Sequence, residues 1–585
     1  MSAGNRKNDP VGFWRGLTRP ARWAAFIAGA VPVLAFPGLD LEFVAWFGAV
    51  PGLLLLRAAP TGREAVVSGW WFGAGYLLAA LYWLIPNLGP GLLLVVIVLG
   101  LPWAGVGYAA WRLLRARPGA PDPNDGLADA PADGLADSPA RPGTGWAARL
   151  WPPGPSPRQS LAAIVVLPSC WVVIDWIRSW QGIGGPWVVF GASQWQHPVV
   201  LALAAVGGIW LIGFVLVAAN TAIVVMLTAP SWPGRAIGAA GALLAVAAGP
   251  AAFALTASEY AVPPTGHLTL TLVQPGLVPA GGPAQELTEE IRMTLRAPRA
   301  DLVVWGESSV GYDLYAAPRV LAGLQRLSAE IGTQLLISQD AVSPTGRKLK
   351  VAALIGPGGI EATYTKSRLV PFGEYIPFRS ALGWLTKISR AASVDMEPGQ
   401  GARVMHAVLP DGRHLTLGIL ICFESSFPDM SRADTDHGAQ VIIYQTSDST
   451  FQGSWAPEQH ASLAALRAAE TGRPAVQAAL TGDTVAFDDR GRLLAWADTN
   501  VRGVVRITVA LPPTSVRTPF DRYGDVVPWF AIAATVIAVL AAARSAGLSG
   551  HFRRRRPLPP GAIRQAARKP DWARPRGGHT VDRPG

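Results

Sequence analysis

Cysteine is almost absent: the 585 residues include only Cys170 and Cys422. Two thiols cannot build a disulfide framework or a cysteine-based zinc site. Charge is scarce too, at 15% of residues, against 50% hydrophobic. The eight histidines form no HExxH and no regular ligand spacing, so no catalytic metal is expected. No GxxxxGK[ST] or GxGxxG loop occurs, which removes the usual phosphate cradles. GESSVG lacks the spacing of the serine hydrolase elbow. No cofactor is expected.

What is present is apolar sequence in long runs. Candidate spans are 22–38, 41–57, 66–86, 90–114, 159–178, 198–228 and 234–256, then 526–545. Most are long enough for a hydrocarbon layer of about 30 Å. The first two are short and split by Pro37-Gly38, and 198–228 exceeds one span, as a tilted or extended helix would. Cys170 lies in such a run (LPSCWVV) and reads as packing. Trp70, Trp71 and Trp83 fall near span ends, as an interfacial aromatic belt would place them. Asp175 and Arg178 end the fifth span, three positions apart, where an outer-interface pair is expected.

The net charge of +11 flanks these runs, which favours a membrane surface over nucleic acid. Arg6, Lys7, Arg15, Arg19 and Arg22 precede the first span. Arg57 and Arg63 follow the second, and Arg112 to Arg158 follow the fourth. Arg235 precedes the seventh, and Arg553 to Arg556 follow the eighth. With eight spans all of these lie on one side, the cytoplasm by the positive-inside rule. Residues 257–525 then face outward. Residues 117–157, rich in Pro, Gly, Ala and Asp, read as a disordered cytoplasmic linker. Residues 1–21 and 546–585 read as cytoplasmic tails, the latter basic and disordered. The first span reads as a retained anchor rather than a cleaved leader.

Residues 257–525 alternate strands and helices. Strand-like runs are 267–274, 300–307, 333–340, 351–357, 415–422, 439–446, 475–480 and 504–511; helical runs lie near 285–297, 317–331 and 457–471. In the last, Leu463, Leu466 and Arg467 share a face, and Arg467 with Glu470 reads as a helix-face pair. This order predicts a layered α/β domain.

Three segments place ionisable side chains at the ends of apolar strands, where a polar group costs energy unless partnered or used. They are DLVVWGESS with Glu307, YTKSRLVPFGEYIPF with Lys366 and Glu374, and LGILICFESSFPD with Cys422 and Glu424. Strand ends meet at the rim of a sheet, where remote segments can share one pocket. The set is chemically coherent. A lysine ammonium favours a thiolate, and a carboxylate can take the thiol proton. The same carboxylate can later deprotonate an amine or water. Ammonium and backbone N–H groups can stabilise a tetrahedral oxyanion. Bland alternatives exist for each: an inert core thiol at Cys422, a helix cap at Glu307, a solvated charge at Lys366, an ion pair of Glu374 with Arg368 or Arg379, and a wall support at Glu424.

Together these segments resemble the Glu-Lys-Cys triad of the nitrilase, or carbon–nitrogen hydrolase, superfamily. VPFGEYIPF, ICFESSFPD and EQHASLAALRAAETGRP, framed by apolar spans, are similar to the apolipoprotein N-acyltransferase family. The resemblance implies an αββα sandwich on a bundle of about eight transmembrane helices. It implies a ping-pong reaction in a cell membrane: a cysteine takes an acyl chain from a phospholipid, and the thioester passes it to the α-amino group of a diacylglyceryl-modified apolipoprotein cysteine. By motif, Glu307 is then the general base, Lys366 the oxyanion stabiliser and Cys422 the nucleophile. Glu374 and Glu424 match further carboxylates near the site, and Phe423 the aromatic position beside the nucleophile. Two segments depart from the pattern. VQPGLVPAGG lacks a tryptophan that the family often carries after its first domain strand. TSDSTFQGS replaces an Asn-Asp-x-Trp-Phe-like loop, with Asp448 and Phe451 at the corresponding places. The alternatives are a membrane-anchored amidase that uses water as acceptor, and a non-enzymatic transporter or scaffold. The intact triad disfavours the latter, and the many spans disfavour a mere tether.

Overall fold

The computed structural model describes residues 20–116, 152–258, 262–278, 282–387 and 392–554. The expected N-terminal tail before Pro20, residues 117–151 of the linker and residues 555–585 of the basic tail lie outside the described residues. The chain divides into one compact unit ending at Ala534 and another beginning at Thr535.

Among the described residues six helices are long and apolar enough to cross a membrane: Gly62–Leu88, Gly91–Leu113, Pro157–Arg178, Pro198–Thr228, Trp232–Thr256 and Val526–Arg544. They match six of the eight expected runs. The first two expected spans are not continuous helices. Pro20–Ala30 passes into a 3-10 turn at Val31–Ala35, and a second such turn at Glu42–Trp46 precedes the short helix Val50–Ala58. Pro32, Pro37 and Pro51 remove backbone donors there, and Gly38 and Asp40 turn the chain through positive φ. The long run 198–228 is neither simply tilted nor overlong. It breaks at Gly207–Gly208, where Gly208 has φ 69°. A Cβ on Gly208 would meet the Phe520 ring at 2.5 Å. The break leaves the Ile209 N–H without a helical partner, and the Glu470 carboxylate accepts it at 2.7 Å.

Two edges of the predicted disorder are ordered. Residues 152–156 lead to a capping box on Ser156 that starts Pro157–Arg178. Buried Arg57 donates to the carbonyls of Leu114 and Pro152, and the Ala116 N–H donates to Pro153, so the two ends of the linker are pinned together. Residues 546–554, expected in the tail, continue the helix Val526–Arg554.

The α/β region holds two six-stranded sheets. The first has the order β12-β1-β2-β3-β4-β5 and comprises β1 Gly266–Gln274, β2 Leu302–Trp305, β3 Leu335–Val342, β4 Lys348–Gly356, β5 Gly359–Thr365 and β12 Gly503–Leu511. The second has the order β11-β10-β9-β8-β7-β6 and comprises β6 Val404–Val408, β7 His414–Ile421, β8 Val441–Thr446, β9 Ala475–Ala479, β10 Thr484–Phe487 and β11 Leu493–Ala497. In each sheet the strands β1, β2 and β3, or β7, β8 and β9, run parallel, and antiparallel strands complete the edges. Period-two alternation sorts the side chains of β2. Leu302 and Val304 face the core shared with the second sheet, whereas Val303 and Trp305 face the helices Gly282–Arg296 and Pro318–Ile331. On the second sheet lie the helices Pro428–Asp436 and Ala456–Thr471. This is the αββα sandwich.

The helix Ala456–Thr471 corrects a simple amphipathic reading, because all of its residues but Glu458 are buried. It lies between the second sheet and Pro198–Thr228, so one apolar core runs from the bundle into the sandwich. Arg467 and Glu470 do pair, at 3.1 Å, but inside that core. The strands β5, β6, β10 and β11 and the helix Pro428–Asp436 were not anticipated. Gly359–Thr365 and Leu493–Ala497 alternate weakly, and the others are short.

The sheets meet through their backbones. Glu307 N–H donates to Thr446 O at 3.1 Å, and the Gln445 side chain donates to Trp305 O at 2.8 Å. A Cβ on Gly306 would lie 2.0 Å from the Leu480 nitrogen. Gly306→Ala is therefore expected to cost about 2 kcal/mol or more through forced separation of the sheets. It should also displace the neighbouring Glu307. An unchanged unfolding temperature in detergent would contradict this packing.

Candidate active site

Each parallel triplet delivers a functional side chain at its carboxyl end. Glu307 follows β2, Cys422 follows β7 and Asp448 follows β8; Lys366 follows β5 on the edge of the first sheet. All four are buried. The sequence therefore placed the three expected groups correctly at strand ends, and the fold brings them together.

Lys366 is the hub. Its ammonium donates to Glu307 Oε1 at 2.9 Å and to Glu374 Oε1 at 2.8 Å. These are two of its three N–H groups; among the described residues no third acceptor is recorded. Glu374 is steadied by Val370 N–H on its other oxygen, at 2.8 Å. The sequence reading offered Arg368 or Arg379 as partners of Glu374. Instead Arg368 pairs with Asp429 at 2.5 Å and Arg379 with Asp395, so Glu374 is free to serve the lysine.

Burial opposes charge on Lys366, but the two carboxylates outweigh it and hold the ammonium well above the ordinary lysine value. Burial alone would raise the Glu307 carboxyl; Lys366, and Lys350 farther out, bring it below its ordinary value. The Cys422 thiol beside it lowers it further. Burial, and then Glu307, push the thiol well above its usual range, and Lys366 offsets this only in part. The lysine favours the thiolate, as expected, but does not outweigh burial and Glu307. The resting site is an ionised Glu307 beside a protonated Cys422.

The backbone is constrained at the same places. Cys422 has φ 53°, Ser308, next to Glu307, has φ 59°, and Phe372, between Lys366 and Glu374, has φ 64°. Side chains other than glycine's rarely adopt this region, at a cost of about 1–3 kcal/mol each. Glu424 supplies part of the restraint. It accepts the Ile421 N–H at 2.8 Å on one oxygen. On the other it accepts Tyr364 O–H at 2.7 Å, Ser367 N–H at 2.8 Å, Ser367 O–H at 2.9 Å and Arg368 N–H at 3.0 Å. Glu424 thus ties the cysteine turn to the lysine loop without facing the cavity.

That cavity, of about 270 Å³, opens over Cys422. Phe423, Phe451 and Phe372 line it from the sandwich; Trp83, Leu88 and Trp187 line it from the membrane helices and the loop after Pro157–Arg178. Trp83 meets Phe451 edge-on at 4.9 Å, and Trp187 stacks on Phe423 at 6.2 Å. Trp83 and Trp71 are buried rather than part of an interfacial belt. Asp175 and Arg178 do pair, at 3.2 Å, yet they are enclosed by protein rather than set at an outer interface. Arg178 donates to Trp187 O at 2.9 Å and lines the cavity. Sequence reasoning missed Trp187 and His460. His460 lies in the family-like segment EQHASLAALRAAETGRP, but its partner Asp448 is twelve residues away across a loop.

The apolipoprotein N-acyltransferase N-terminal domain family matches residues 28–222, and the carbon–nitrogen hydrolase family matches residues 274–517. The apolipoprotein N-acyltransferase of Allorhizobium ampelinum is 30% identical over 84% of this chain and 91% of that one. This chain belongs to the apolipoprotein N-acyltransferase family. The enzyme of that name from Geobacter metallireducens is 28% identical over 88% of this chain and 94% of its own length. That from Brucella suis is 29% identical over 91% and 96%. Membership makes the chain an acyltransferase of the carbon–nitrogen hydrolase superfamily.

Glu424→Gln would turn an amide N–H₂ toward backbone and hydroxyl donors. Leaving buried donors unsatisfied costs about 1–3 kcal/mol for each group. The unfolding temperature in detergent is expected to fall by several degrees, with at least a tenfold loss of acyl transfer. A variant that keeps both would remove Glu424 from this restraining role.

Proposed function

We propose that the chain transfers a fatty acyl group from a phospholipid, through a thioester on Cys422, to the α-amino group of a lipoprotein's N-terminal diacylglyceryl-cysteine. The observation that carries this reading is the convergence of Glu307, Lys366 and Cys422 beneath an apolar cavity with walls from the membrane helices. An acyl donor embedded in lipid needs such walls, and a thioester must be kept from water.

Glu307, ionised at rest, takes the Cys422 proton as the sulfur attacks the ester carbonyl. Lys366 uses its remaining N–H on the oxyanion; losing one such donor typically costs about 3 kcal/mol. The C–O bond breaks, and protonated Glu307 returns its proton to the leaving glyceryl oxygen. In the second half the acceptor amine attacks the thioester while Glu307 takes its proton. The C–S bond breaks, and the sulfur recovers a proton from Glu307. Glu374 keeps the lysine charged and aimed. Phe423 forms part of the acyl-chain wall.

The proposed organisation is a bundle over residues 22–256, a catalytic domain over residues 257–525 outside the cytoplasm, and a last span at 526–545. Both termini are then cytoplasmic. The bias of Lys and Arg toward one set of loops supports this orientation.

Incubation with acyl-labelled phospholipid should place label on Cys422 and then on a diacylated lipopeptide. Cys422→Ala should abolish both steps, and substantial residual label on that variant would sink the assignment. Glu307→Gln should reduce the first step by at least about 10²-fold, the lower range for a positioned base. Because Glu307 is held below its ordinary value, its base function is retained as pH falls and is lost only when the carboxyl protonates. Single-turnover acylation should therefore keep its acid limb below about pH 4.3, the ordinary glutamate value. An acid limb near pH 6 would refute this proton assignment.

A further inference from the structure

Beside the triad stands a second charged pair that the mechanism above does not use. His460, on the buried helix Ala456–Thr471, is 1% exposed, and Asp448 is 4% exposed. Asp448 lies 3.0 Å from His460 Nδ1 through one carboxylate oxygen and 3.2 Å through the other. On the far side of the ring, Nε2 lies 3.0 Å from the carbonyl oxygen of Cys422. The Cys422 sulfur, an Asp448 oxygen and a His460 ring nitrogen all lie within 4.8 Å of one another.

The hydrogen-bond inventory decides the state of the ring. A carbonyl oxygen only accepts, and so does an ionised carboxylate. Two acceptors on opposite nitrogens require two N–H groups, and only the imidazolium has both. Asp448 supplies the counter-charge that burial would otherwise deny it; burial lowers the imidazole's proton affinity, Asp448 raises it, and the net direction is upward. With both nitrogens protonated, His460 has no lone pair with which to act as the base. Its available roles are to hold and to polarise.

We propose that His460, kept as an imidazolium by Asp448, is a positioning residue of the acyl-transfer site: it fixes the left-handed turn at Cys422 through the carbonyl and offsets the Asp448 charge next to the sulfur. The inference rests on Cys422 being the nucleophile. Two observations besides the pair itself support it. Cys422 has φ 53°, and a restraint on its carbonyl opposes relaxation of that turn. The sulfur also starts as a thiol facing an anion, and when Glu307 takes its proton the new negative charge lies near Lys366 and within 4.8 Å of both Asp448 and His460. Asp448 by itself opposes charge on the sulfur, and the imidazolium is its counter-charge. Arg178 lines the same cavity from the membrane helices, and Asp483 faces Asp448 from the second sheet. The Trp187 ring, 5.3 Å from the imidazole, closes the remaining face.

The test follows alkylation of Cys422 by iodoacetamide in the full-length protein in detergent, read peptide by peptide across pH 6 to 10, so that Cys170 does not interfere. Iodoacetamide reports the thiolate. His460→Gln is expected to slow alkylation at least tenfold at any pH below the plateau, shifting the profile alkaline by a unit or more. His460→Lys, which restores a cation without the ring, should recover part of that loss. His460→Asn replaces the glutamine variant if the latter fails to fold, as judged by unfolding temperature. A profile identical to that of the wild type in the amide variant overturns the proposal. So does a lysine variant no better than the amide, which would leave His460 a purely structural role. Failure of the underlying reading has a different signature: phospholipid label persisting on Cys422→Ala overturns the nucleophile, whatever His460 does.

Discussion

A lysine ammonium enclosed at the end of an edge strand is the constraint that the rest of the site obeys. Desolvating such a charge costs several kcal/mol, and only close carboxylates with good geometry recover it. Lys366 obtains them from two directions, Glu307 at the end of β2 and Glu374 from its own following loop. Removing either leaves a buried charge uncompensated, so the three groups define one another's positions. The arrangement also sets the resting proton inventory. The lysine holds Glu307 as an anion, suited to the base role proposed for it, and burial with the Glu307 charge keeps the nearby thiol protonated. A latent nucleophile of this kind is protected from stray electrophiles and oxidants, which react with the thiolate.

The same economy appears in the backbone. Residues other than glycine adopt positive φ at Ser308 beside Glu307, at Phe372 between Lys366 and Glu374, and at Cys422 itself. Such conformations persist only where the surroundings over-determine them. Here the over-determination is visible atom by atom. Glu424 gathers donors from both the cysteine turn and the lysine loop, and His460 holds the carbonyl of Cys422. Gly306 allows the strand bearing Glu307 to approach the end of the second sheet more closely than any side chain would.

Much of this was legible before any coordinates. The apolar runs gave six helices nearly to the residue, and ionisable groups stranded after apolar strands identified Glu307, Lys366 and Cys422. Their partners were less legible because partnership is a long-range property. Glu374 had arginines closer in sequence, and nothing local says that it turns to Lys366. His460 and Asp448 are separated by a loop, and the helix that carries His460 is buried all round, so the amphipathic pattern that usually orients a helix is missing. The break at Gly207–Gly208 was hidden because hydropathy ignores backbone angles. The first two runs failed as spans for the opposite reason: their prolines were visible, but where the chain goes after each one depends on packing. Short strands such as β10, with four residues, carry too little alternation to stand out.

The triad by itself does not select the acceptor. A thioester flanked by a carboxylate can be attacked by water as well as by an amine, and the balance between hydrolysis and transfer depends on what reaches it. The walls decide that. The cavity over Cys422 takes one side from the sandwich and the other from the membrane helices, and aromatic rings from both meet across it. Helix Ala456–Thr471 is what makes this junction rigid: it presents His460 to the cysteine near one end and Glu470 to the broken membrane helix at the other. The break at Gly208 creates an unpaired N–H, the buried carboxylate needs a donor, and each satisfies the other. This joint fixes Cys422 relative to the apolar walls, as the proposed acyl transfer requires.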